Sequence, residues 1–102
     1  MIAMWNGEII AHSTDTIRVE GHHYFPPDSV DWNALIPSHT TSRCWWKGKA
    51  TYFHVRTRGG VNPDAAWTYP RPWPLARRIT GYVAFWRGVT VEPYRRGIGG
   101  RS

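Results

Sequence analysis

Cys44 is the only cysteine of the chain, and it sits between Arg43 and Lys47. A thiolate beside such cations, or beside a histidine, has a lowered pKa and acts as a nucleophile. The alternative is a small, inert, buried side chain, the usual fate of free cysteine. His22 and His23 are adjacent, so on a strand only one of them can face a given side. An imidazole near Glu20 or Asp64 titrates close to neutrality and suits general acid or base work. A purely structural histidine is the other reading. Lys47 opens a Lys-Gly-Lys run that reads as a turn between strands. Its ammonium can hold an anion or a carbonyl oxygen, or it can be a solvated hairpin tip. Asp64 stands before an aromatic run, where it can orient a base or hold a ligand NH group. It can equally close an Asx turn with Asn62 and Pro63.

The chain holds seven tryptophans, and Trp45, Trp46, Trp67 and Trp73 fall within two neighbouring blocks. On a strand Trp45 and Trp46 would point to opposite faces, so one of them can line a cleft. Aromatic walls with a few polar groups are the usual anatomy of a small-molecule pocket. They also offer stacking and cation–π contacts. Core filling in a thin β domain is the competing use. The runs that cradle phosphates, the His-Glu-x-x-His and Cys-x-x-Cys metal signatures and the Gly-x-Ser-x-Gly nucleophile elbow are all missing from the sequence. No cofactor and no metal is expected, and a two-metal phosphoryl-transfer site is hard to build from seven acids.

These residues must be positioned by one small domain. The chain has 102 residues, a formal net charge of +6 and 15 % aromatic residues. A chain of this length buries roughly two-thirds of its unfolded surface, enough for one modest core. No apolar run approaches the length of a membrane helix. One cysteine excludes an internal disulfide framework, and Met1–Glu8 lacks the features of a signal peptide. A reducing, cytoplasmic setting is expected. Twelve of the thirteen Lys and Arg lie from Arg43 onward, against two acids, Asp64 and Glu92. Such a block is most often a solvated face, although with exposed aromatics it can suit nucleic acid or a phosphorylated ligand. The domain is read as residues 1–93, followed by a basic, glycine-rich, flexible tail at 94–102.

The elements read as mainly β. Ile2–Trp5 and Glu8–His12 flank Asn6-Gly7, the strongest two-residue hairpin signal. Thr16–Glu20 alternates as a half-buried strand and His22–Phe25 follows Gly21. Residues 29–37 read as a strand or as an irregular connection, and 38–42 as a hydroxyl-rich loop. Arg43–Trp46 and Ala50–Arg56 read as strands joined at Lys47-Gly48-Lys49. Gly59-Gly60 and Asn62-Pro63-Asp64 are turn chemistry, and Ala65–Tyr69 is a short aromatic segment. Pro74–Thr80 is the one expected helix, with Leu75 and Ile79 on a shared face and Gly81 ending it. Tyr82–Trp86 and Val89–Glu92 are the last strands.

Several blocks together resemble the bacterial DUF427 family, a family of unknown function. They are Trp5-Asn6-Gly7, Val19 to Pro27, Thr40 to Gly48, Val61 to Pro70 and Gly81 to Trp86, covering roughly residues 3–92. The resemblance implies a β-tent, or Mss4-like, fold in which two antiparallel sheets lean together around a cleft. It maps His23 and Tyr24 onto the family's His-Tyr pair. Zinc-binding cysteines, common in that fold class, are not present here. The sequence departs from the family pattern at Arg43, Trp45, Lys49, His39 and His54, around the cysteine block. The nucleotidyl transfer associated with the family finds no supporting residues.

The leading expectation is a domain that binds a small cyclic or heteroaromatic organic compound in an aromatic cleft. Ligand-binding residues are expected at Tyr24, Trp46, Tyr52, His54 and Trp67. His23, Cys44, Lys47 and Asp64 are the candidate catalytic residues of a second reading. This is a cofactor-free acid/base enzyme that promotes a cyclisation, isomerisation or hydration, with Lys47 or Tyr24 steadying negative charge. Nucleic-acid binding through the basic half is a third reading, not favoured because no recognised motif supports it. No membrane partner is expected, and the chain is read as a monomer or homodimer because sheet edges invite pairing.

Overall fold

The computed structural model describes residues 1–94, so 95–102, nearly all of the expected tail, lies outside the described residues. Among the described residues nine strands form three antiparallel sheets. β1 (Ile2–Trp5) and β2 (Glu8–His12) close through Asn6 at φ 51° and Gly7 at φ 76°. Both residues tolerate the left-handed region that this tight turn demands. β3 (Ile17–Val19) and β4 (His22–Tyr24) close the same way, through Glu20 at φ 52° and Gly21 at φ 84°. β5 (Leu35–Cys44), β6 (Gly48–Thr57), β7 (Gly60–Thr68) and β8 (Val83–Phe85) form a four-stranded sheet in chain order. β9 (Thr90–Glu92) leaves it and pairs with β1, giving the order β2–β1–β9.

Three sheets therefore stand where two were expected. The third is the β3–β4 hairpin, hung on β8 by one bridge. Phe25 N–H donates to Val83 O at 2.8 Å, and Val83 N–H donates back to Phe25 O at 2.9 Å. Strand alternation then divides the side chains between two cores. Phe25, Ala66, Val83 and Phe85 join Ala3, Ile10 and Val55 in the first. Their neighbours Tyr24, Trp67 and Ala84 join Val19, Ala50, Tyr69 and Ile79 in the second. A fully buried Phe25 contributes about 1.5–3 kcal/mol relative to exposure.

Other expectations change in detail. Residues 38–42 are not a loop but lie inside β5, whose register against β6 shifts between Pro37 and Thr41. The turn after β5 is Trp45–Lys47, two residues earlier than expected, because Gly48, at φ 103°, begins β6. Trp45 and Trp46 are thus turn residues rather than strand neighbours on opposite faces. Asn62-Pro63-Asp64 is part of β7, with Asp64 at φ 52° beside a register shift against β6. Residues 27–34 hold two short 3-10 turns, Pro27–Ser29 and Trp32–Ala34, with Val30 bridging to Ala11 between them. Pro74–Ile79 is also 3-10, broken at Ala76. Its three-residue period buries Ala76 and Ile79 and leaves Leu75 81 % exposed, so Leu75 and Ile79 do not share a buried face.

Candidate functional site

The second core opens to solvent in a cleft of about 240 Å³. Its aromatic walls are Tyr52, Trp67, Tyr69 and Trp86, and its polar groups are Glu20, His22 and Lys47. Each wall has a reason in the register. Tyr52 on β6 pairs with Trp67 on β7, and Trp67 pairs with Ala84 on β8, so Trp86, two residues on, joins the same side. The Trp67 ring meets Trp86 edge to face at 5.3 Å and His22 at 4.9 Å, and its centroid is 6.3 Å from Tyr52. Edge-to-face contacts of this kind fix ring orientation. From behind, the Trp67 indole N–H donates to the buried Tyr24 hydroxyl at 3.1 Å. Tyr52 OH lies 2.9 Å from Ser42 Oγ, which ties the rim to β5.

Lys47 forms the cationic corner. It is only 7 % exposed. Its carbonyl accepts from Trp73 N–H at 3.1 Å, which ties the proline segment to the turn. Its ammonium donates to Glu20, lies 5.5 Å from the Trp46 ring centre and 5.4 Å from that of Tyr69. Glu20 also accepts from the Trp46 indole N–H at 3.3 Å. Burial pulls the Lys47 pKa down, but the Glu20 hydrogen bond and nearby groups outweigh it, and the net shift is upward. Lys47 therefore stays an ammonium, suited to holding an anion or carbonyl oxygen and not to nucleophilic attack. The same Lys47 bond, with that of Trp46, lowers the Glu20 pKa. Burial pushes the Tyr69 phenol up to about 12 and raises Tyr24 as well. Both tyrosines thus present neutral hydroxyls near neutral pH.

Asp64 belongs to a second cluster behind Trp86. Ser38 Oγ donates to Asp64 Oδ1 at 2.5 Å and Thr40 Oγ1 to Asp64 Oδ2 at 2.7 Å. These bonds hold the Asp64 carboxyl below its ordinary range. Asp64 N–H donates to His54 Nδ1 at 3.1 Å. That nitrogen must carry the lone pair, so the neutral ring has its proton on Nε2. The 3.7 Å approach of Nδ1 to the carboxylate is then not an ion pair in the neutral tautomer. Trp86 Nε1–H donates to Asp64 O at 2.6 Å. The residue placed before the aromatic run therefore anchors a cleft wall, and its carboxylate is occupied by Ser38 and Thr40.

Of the residues read from the sequence, Lys47, Tyr52 and Trp67 line the cleft. Tyr24 and Trp46 brace it from behind. His23 does not reach it. It lies on the opposite face of β4 from His22 and Tyr24, with Nδ1 3.1 Å from Thr16 Oγ1, and its pKa is lowered by burial and by Arg18. Asp64 and His54 stand in the separate cluster, and Cys44 is a half-buried side chain packed on the second core. Glu20, Tyr69 and Trp86 were missed, and His22 is the cleft histidine in place of His23. Alternation signals His22, because a buried Tyr24 puts His22 on its own side.

The sequence model of a family described as a domain of unknown function (DUF427) matches residues 1–96, and the chain belongs to that family. No curated protein matches it.

Proposed function

We propose that this DUF427 chain binds a small cyclic or heteroaromatic compound in the cleft between Trp67, Trp86, Tyr52 and Lys47. The observation that carries the reading is the enclosure of a buried ammonium by aromatic rings. Lys47 keeps its charge beside surfaces that can stack on a flat ligand, so an acceptor on the ring system meets a fixed donor. His22 at the mouth supplies a second polar contact. On this reading the domain is of the β-tent, Mss4-like class and works in the cytoplasm.

Native mass spectrometry of gently purified protein, followed by denaturation and identification of released molecules, tests it. A stoichiometric organic molecule that Trp86→Ala protein no longer carries supports the cleft. A molecule retained equally by Trp86→Ala and Lys47→Met protein overturns it. One observation favours the acid/base alternative: Glu20, His22 and Lys47 share one mouth. His22 would then move the proton while Lys47 steadies the negative charge. Conversion of the released molecule on incubation, abolished in His22→Ala, distinguishes catalysis from binding.

A further inference from the structure

We propose a second ligand site on the other face of β6, an oxyanion pocket that takes the phosphoryl group of a small ligand. Lys49, Thr51, Pro70 and Arg71 line a cavity of about 410 Å³, larger than the aromatic cleft. Lys49 and Thr51 are two residues apart and share a face, opposite to that of Ala50 and Tyr52. Beside this lining, Arg43 on β5 pairs directly with Lys49. Like charges in directly opposed positions destabilise a sheet. Among the described residues neither the Lys47–Glu20 ion pair nor the 3.7 Å approach of His54 to Asp64 involves Arg43, Lys49 or Arg71.

The surroundings favour a built pocket over a frayed patch. Arg71 lies between Pro70 and Pro72, which restrict its backbone. The same segment is pinned beside β6 by the Trp73 N–H bond to Lys47 O. Gly48 packs against this segment, and its φ of 103° is a conformation that favours glycine. A lining that carries a guanidinium, an ammonium and a hydroxyl matches a dianion with three acceptor oxygens better than a carboxylate with two. The site is separate from the aromatic cleft and does not depend on what binds there.

Calorimetric titration of the full chain with pyrophosphate, at ionic strength held constant with sodium chloride, tests the proposal. One saturable site is expected. Lys49→Ala and Arg71→Ala should each weaken it about tenfold or more, the scale of one charge-assisted hydrogen bond. Arg58→Ala, in the turn at the far end of β6, should leave it unchanged, and thermal midpoints check that every variant folds. Absence of saturable heat overturns the pocket. Equal weakening by Arg58→Ala reduces it to overall charge, and equal competition by chloride means an adventitious ion only. Tighter binding of oligothymidylate with increasing length replaces it with a nucleic-acid surface.

Discussion

Lys47 and Lys49 are two residues apart and occupy opposite electrostatic worlds. Lys47 is buried, joined to Glu20 and flanked by the faces of Trp46 and Tyr69. Lys49 is exposed, faces Arg43 across the ladder and has no acid partner among the described residues. Gly48 between them ends the turn and starts the strand, sending one lysine into the aromatic core and the other to the opposite side. The net charge of the chain is therefore a poor guide to its sites. One cation is neutralised within the fold beside an aromatic cleft, whereas the other stands opposite a like charge.

Three perturbations separate the two regions, beginning with the largest effect. Trp67→Ala removes a nearly buried ring shared by the second core and the cleft. It should cost about 3–5 kcal/mol in urea denaturation. Trp45→Ala, at a ring 84 % exposed, should stay within about 0.5 kcal/mol.

The second concerns alkaline pH. Lys47 and Tyr69 both have raised pKa values in the folded protein, the phenol at about 12. A raised folded value means stability is fully present below the unfolded value and falls as pH rises through the folded one. Denaturant midpoints should therefore hold up to about pH 10 and fall above it. Tyr69→Phe should shrink that fall. An unchanged slope in Tyr69→Phe would remove the cleft tyrosine as its source.

The smallest effect belongs to the anion pocket. Arg43→Ser relieves the opposed pair and should raise stability by about 0.2–1 kcal/mol at low salt, less in high salt. A loss of stability would mean that the arginine packs rather than repels.

Local chemistry was legible in the sequence wherever one short segment decides the outcome. Asn6-Gly7 specifies its hairpin by backbone conformation alone, and alternation marks the strands around it. Lys47, Tyr52 and Trp67 were legible because they occupy one hairpin and its paired strand. The rest depended on long-range register. Trp86 reaches the cleft through the pairing of β7 with β8, and Glu20 through a hairpin far from Lys47 in sequence. Asn62-Pro63-Asp64 has the composition of a turn, but Asp64 adopts its positive φ inside β7, where Ser38, Thr40, His54 and Trp86 hold it. The glycine of Lys-Gly-Lys suggested the middle of the turn and instead opens the next strand.

The irregular stretch of β5 also bears on the edge of its sheet. Among the described residues β5 is an outer strand of the four-stranded sheet, paired only with β6. Pro37 supplies no donor, and the register slips between Pro37 and Thr41. Beyond it stands the positive charge of Arg43. Such features discourage a neighbouring molecule from adding its own strand. The same proline and slipped register that look like flaws in the ladder are the features by which a long outer edge discourages fibre-like stacking.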